Sequence, residues 1–148
     1  MYRRPEPKLK TQTKVFPLKH LVVMSADGTL DLNASKAALR SLVATPGADP
    51  SCEVLLDLRE VKCTMSMTDI FELANHMTFS DAALPTSKKI AVLVDKQSAG
   101  NVAFNHARFL ELCATNRGVN IHAFDDYQMA DDWLYADLPD DTGDVTRH

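Results

Sequence analysis

Three short, unbroken apolar runs, Val54 to Leu58, Ile90 to Val94 and Val119 to Phe124, each lead into a stretch with helical spacing. A strand with one wet face alternates apolar and polar residues, whereas a strand buried on both faces reads as a continuous apolar run. These runs therefore predict a parallel sheet covered by helices. EVLLDL, KIAVLV and VNIHAF are its expected interior strands.

Ahead of them, Thr13 to Phe16 and His20 to Met24 are β-branched and apolar and flank Pro17 to Lys19, a pattern that predicts a β-hairpin opening the sheet. Asp27-Gly28 reads as a turn. Asn33 or Asp31 caps a first helix running to Ala44, where Pro46-Gly47 stops it. EVLLDL runs into an expected loop from Arg59 to Thr68, with Ser66 or Thr68 as the cap of a second helix whose inward stripe is Ile70, Phe71, Ala74 and Met77. Gly100 to Asn116 gives the longest helix, closed by Arg117-Gly118. Asp126 then caps a short last helix ending at Trp133-Leu134.

At 148 residues the chain fits one domain, and a domain of this size buries about 70% of its unfolded surface without metal or disulfide support. The expected organisation is a flexible basic arm over 1–12, a single domain over 13–136 and an acidic disordered tail over 137–148. Six of the 16 bases but only one of the 20 acids lie in the first 20 residues, so that segment carries +5 and the remainder −9. An acidic body repels phosphate, which argues against a nucleic-acid binder. Three cysteines, Cys52, Cys63 and Cys113, share no paired or zinc-type spacing and suit a reducing cytoplasm. No apolar run reaches membrane-spanning length.

Taken in order, FPLKHLVVMSADGTLDLNAS, EVLLDLREV, SKKIAVLVD, NHARFLELCATNRGVNIHAFDD and MADDWL resemble the SpoIIAA-like family. This is a STAS-type α/β sandwich, similar in topology to bacterial anti-sigma-factor antagonists and, more distantly, to the lipid-binding CRAL-TRIO fold. The resemblance covers about Lys14 to Leu134. It rests on the DLR after a buried strand, on Ala107-Arg108 followed by apolar residues and Glu111, and on an aromatic strand, an Asp, a short helix and Trp-Leu at the end. It implies an N-terminal β-hairpin followed by βα units, with a mixed, largely parallel sheet covered by helices. It also implies a non-enzymatic module acting by association with a protein partner, a second copy included, or, as the alternative, a carrier of a small apolar, lipid-like ligand.

In the antagonists a strand ending in a DLS-type sequence leads to Asp-Ser-Ser-Gly at a helix start, where a serine is phosphorylated. Counted from Asp57, those places fall on Met65, Ser66, Met67 and Thr68, so Met67 stands where the serine is expected. Only a slipped alignment brings Ser66 or Thr68 there. Both remain phospho-switch candidates, with an ordinary helix cap as the other reading.

The partner-facing candidates are Arg59, Glu60 and Lys62 in the expected loop, with Phe104 and Arg108 on the long helix. An apolar pocket, if present, belongs between the sheet and the second and long helices, against Met67, Phe71 and Phe109. Asp57 and Asp95 end successive strands on the edge where open α/β sheets place ligands, and a loop-capping role is the competing reading. His106 and Cys113 share a helix face but lie two turns, about 10 Å, apart, too far for a nucleophile and its base. No catalytic residue, metal site or cofactor is expected, since the five histidines have no i,i+4 pairing and no acid–base pair stands out.

Overall fold

The computed structural model describes residues 8–44, 52–79, 89–95 and 102–135. Within them β1 (Lys10–Phe16) and β2 (Leu21–Leu30) form the antiparallel hairpin, with register Phe16 to Leu21 through Lys10 to Asp27. A 3-10 turn, Pro17–Lys19, joins them, and His20 closes it at φ 52° with its N–H on the Pro17 carbonyl at 3.1 Å. β3 (Glu53–Cys63), β4 (Lys89–Leu93) and β5 (Asn120–Phe124) then add in parallel, giving the sheet order β1-β2-β3-β4-β5.

Helices α1 (Leu32–Val43), α2 (Met67–Phe79) and α3 (Val102–Thr115) make the three crossovers, and α4 (Tyr127–Tyr135) follows β5. Strands laid down in sequential order with crossovers of one hand put every crossover helix on the same face. Accordingly Leu39 and Leu42 of α1, Ile70, Leu73 and Met77 of α2, and Ala107 and Ala114 of α3 pack with Val22, Val54, Ile90, Val92 and Ile121 in one core. The opposite face has a smaller core, where Ala130 and Leu134 of α4 meet Leu21, Leu55, Ala91, Leu93 and Phe124.

The helix starts follow local chemistry. Asp31 caps α1, its carboxylate accepting from Ala34 N–H at 2.8 Å. Asp126 accepts from Gln128 N–H at 2.8 Å and Met129 N–H at 3.3 Å at the start of α4. Gly118, after α3, sits at φ 89°, which a side chain would disfavour.

Two expectations are corrected. Asp27-Gly28 is not a turn, because β2 continues through it to Leu30. The stretch after EVLLDL is not a loop until Thr64, because β3 continues to Cys63 by pairing Glu60 to Cys63 with Asp27 to Leu30. A bulge makes this extension work. Between the pairs Ser25–Asp57 and Asp27–Glu60, β3 has one residue more than β2. The inserted residue shifts the alternation, so Val61 and Cys63 keep an apolar face toward the main core while Glu60 and Lys62 are exposed. β1 also begins at Lys10, inside the stretch expected to be an arm.

Candidate functional site

A five-strand sheet is about 19 Å wide, while one helix covers about 10 Å. α1, α2 and α3 suffice for one face. Among the described residues α4 is the helix of the other face; it packs on β3, β4 and β5 and reaches β2 through Leu21, leaving the rest of the β1–β2 strip without a helix above it. The result is a groove of about 300 Å³ between the hairpin and α4. Its floor is Leu21, Val23 and Leu55; Lys14 and Lys19 stand on the hairpin rim, and Asp57 and Asp131 on the opposite rim. Two aromatics flank it in the open, Phe16 at 39% and Tyr127 at 49% exposure. Burial, with Asp131 and Tyr127 nearby, pushes the Tyr135 phenol up, so it remains a hydrogen-bond donor at neutral pH.

At the C-terminal end of the strands the groove passes into a polar hollow lined by Ser25, Asp57, Arg59, Glu60 and Asp95. Here Arg59 grips Asp57 with a two-pronged contact, Nε to Oδ1 at 2.9 Å and Nη2 to Oδ2 at 2.7 Å, while Arg59 N–H adds a third bond at 3.2 Å. Hydrogen bonding from the guanidinium outweighs partial burial and holds the Asp57 carboxyl below its ordinary range. The same pairing raises the Arg59 guanidinium. A carboxylate so engaged is a poor general base.

The structure thus brings Arg59 and Glu60 together with Asp57 and Asp95 beside the groove, and separates them from the other candidates. Lys62 is exposed on β3 just past the hollow. Arg108 lies on α3, where its guanidinium is 3.8 Å from Glu111. Glu111 in turn accepts from Ala123 N–H at 2.9 Å and lies 3.1 Å from His122 Nδ1, so its carboxylate occupies part of the open edge of β5. The Phe104 side chain lies outside the described residues. Ser66 and Asp69 cap each other at the start of α2: Asp69 N–H donates to Ser66 Oγ at 3.1 Å, and Ser66 N–H donates to Asp69 Oδ2 at 3.1 Å. Thr68 is exposed in the first turn.

An apolar cavity of about 100 Å³ lies on the face of α1, α2 and α3, where Ser35, Ala38 and Leu39 of α1 also line it, and its lining differs from the expected one. Met65, Ile70, Leu73 and Met77 face it from the α2 side, and His106, Ala107 and Leu110 from α3. Met67 is 48% exposed, and Phe71, 46% exposed, lies under the Arg117 guanidinium at 4.6 Å. Phe109 packs against the main core without reaching the cavity. Helix spacing could not tell the cavity stripe from its neighbours one residue away.

His106 is therefore on the far side of the sheet from Asp57 and Asp95. Cys113 is buried, and burial pushes the Cys63 thiol up, away from nucleophilic thiolate. Among the described residues no group of three or more His, Cys, Asp or Glu is placed to hold a metal ion, and no helix is long and apolar enough to cross a membrane. The groove itself escaped the sequence reading. Its only trace there was the alternation Gln12, Lys14, Phe16, which places polar and aromatic residues on one face of β1.

No family model and no curated protein matches the chain. Solved structures do. An uncharacterised protein of the DUF3478 family with a SpoIIAA-like fold, from Shewanella loihica PV-4, superposes with a TM-score of 0.52 at 15% identity, covering 90% of this chain and 98% of that one. An anti-sigma factor antagonist from Mycobacterium paratuberculosis gives a TM-score of 0.52 at 16% identity, covering 85% of this chain and 93% of that one. With its hairpin, its three parallel additions and its helices on both faces, the chain has the SpoIIAA-like α/β fold.

Proposed function

We propose that this chain is a non-enzymatic, cytoplasmic regulatory module whose protein partner lays an amphipathic helix on the bare β1–β2 strip beside α4. The observation that carries the reading is the half-covered sheet. Among the described residues α4 is the helix of the second layer, and the hairpin face beside it carries the exposed Phe16 and the partly buried Val23. The strip offers such a helix the partly buried Val23, beside Leu21 and Leu55 already packed under α4, and two exposed aromatics as anchors. Its rims differ in charge, so the incoming helix is acidic on the side of Lys14 and Lys19 and basic toward Asp131, Asp57 being already paired with Arg59. The likeness in fold to an anti-sigma factor antagonist supports a role in protein association.

Photo-crosslinking tests it. A benzophenone side chain placed at Phe16 or Tyr127 is expected to capture a different protein through a helical segment of that charge pattern. Lys14→Glu should abolish the capture. Crosslinks from Leu112 on α3 alone, or from the groove only to a second copy of the chain, would overturn the reading, the latter in favour of a homodimer.

A further inference from the structure

We infer that the groove between the hairpin and α4 is autoinhibited by this chain's own residues 136–148, whose aspartates lie along Lys14 and Lys19 in the place of the partner's acidic edge. This contact rests on the docking role proposed above for the same strip, and it adds a competitor that a partner has to displace.

A chain of hydrogen bonds places the end of α4 beside the hairpin turn. The His20 carbonyl accepts from Glu53 N–H at 2.8 Å, the Glu53 carboxylate accepts from Lys89 N–H at 2.6 Å, and the Lys89 ammonium donates to the Trp133 carbonyl at 2.8 Å. The last turn of α4 and the turn Pro17–Lys19 therefore share one end of the sheet. Tyr135, the last residue of α4, lines the groove together with Lys14, Phe16 and Lys19. Chain leaving α4 thus starts at the groove itself. Asp140 and Asp141 follow Tyr135 by five and six residues. Five extended residues reach about 17 Å, more than the width of about 10 Å that a helix-sized groove presents.

Charge selects this segment. Residues 136–148 carry four aspartates, Asp137, Asp140, Asp141 and Asp144, against one arginine, Arg147. Lys14 and Lys19 make the hairpin rim basic, while Asp131 on the other rim turns an acidic chain toward them. The Lys19 ammonium lies 5.9 Å from the centroid of the Phe16 ring, so a segment drawn to Lys19 also covers an aromatic anchor of the strip. Exposed ion pairs are individually weak. The tether compensates, because it holds the segment near the rim at an effective concentration on the order of millimolar. Such a contact yields to a partner that adds apolar burial at Phe16 and Tyr127, and it keeps out one that offers acidic charge alone.

Backbone amide resonances of the full chain are the readout. Asp137→Asn, Asp140→Asn, Asp141→Asn and Asp144→Asn, combined in one chain, should shift the amides of Lys14, Lys19, Leu21 and Tyr135 and leave those of α2 and α3 in place. Raising salt to about 1 M should move the wild-type groove amides toward the variant positions. A synthetic peptide of residues 136–148, added to the variant, should return them toward the wild type, and Lys14→Glu should abolish that return. With the benzophenone at Phe16, the variant should capture the partner about two- to fivefold more than the wild type does, the ratio that two exposed ion pairs supply. Identical groove amides in wild type and variant, or shifts confined to Lys8 and Lys10, would overturn the inference and leave the docking role of the strip standing. Groove shifts with no capture of a different protein by either chain would uphold the contact and sink that docking role instead.

Discussion

The ammonium of Lys89, at the buried start of β4, donates to the Trp133 carbonyl of α4 at 2.8 Å and lies 5.3 Å from the centroid of the same residue's indole ring. A cation near a helix C-terminus offsets the partial negative charge of the last carbonyls, and the ring face adds its own attraction. The contact ties α4, the only helix on its face among the described residues, to β4 beside the β5 edge of the sheet. Lys89→Met keeps the apolar stem but leaves the carbonyl with a lost partner, so it should cost about 2 kcal/mol. Urea unfolding followed by the fluorescence of Trp133, the single tryptophan, measures this loss. A variant as stable as the wild type would show that α4 is held by its apolar contacts alone.

Gly28 supplies the second prediction. It sits at φ 106° inside β2, and a Cβ there would lie 2.3 Å from the Lys8 carbonyl oxygen and 3.0 Å from Leu9 Cα. Gly28→Ala therefore meets both a disfavoured backbone conformation and a clash with backbone that cannot rotate away. A loss of about 2 kcal/mol or more is expected in thermal or urea unfolding, with faster amide exchange in the β1–β2 ladder.

Gly28 also shows where sequence reading loses its grip. Asp-Gly signals a turn because glycine tolerates positive φ, but close approach by another segment demands glycine too, and Lys8 is brought there by the hairpin register rather than by local sequence. The buried strands, the hairpin, the cap at Asp126, Asp31 as one of two candidates for the first cap, and the parallel strands were legible because they follow from periodicity and short-range hydrogen bonding. The extension of β3 was not, since Arg59 to Cys63 looks polar enough for a loop and becomes strand only through a bulge and pairing with Asp27 to Leu30. The groove beside α4 was hidden for a similar reason: Leu21, Val23 and Leu55 read as core from sequence alike, and only the placement of the helices among the described residues shows that Val23 is the one left partly uncovered.

Ser66 and Thr68, two residues apart in the candidate switch segment, should respond differently to truncation. Ser66→Ala removes one half of the reciprocal cap with Asp69 and should lower stability by about 1 kcal/mol. Thr68→Ala touches neither bond and should stay within about 0.5 kcal/mol of the wild type. Matched urea titrations separate the two. Equal effects would mean that the cap is not what fixes the start of α2.

The last prediction concerns pH. The unfolded chain ionises Asp57 at its ordinary value, 3.8, whereas in the folded protein the Arg59 fork favours the carboxylate and lowers the pKa. A group depressed by folding contributes its full stabilisation above the unfolded value, loses it as pH falls from there through the folded value, and contributes nothing once protonated in both states. Asp57→Asn should thus cost about 1 kcal/mol at pH 7, a modest figure because Arg59 is half exposed and solvent screens the pair. The difference between variant and wild type should hold steady down to about pH 5, shrink as the pH drops below the ordinary carboxylate range, and narrow at any pH when salt is raised to 1 M. Unfolding of both proteins in urea at pH 7, 5 and 3 checks the slope. A gap between them that is unchanged at pH 3 would mean that Asp57 acts through its shape and neutral hydrogen bonds, and not through its charge on Arg59.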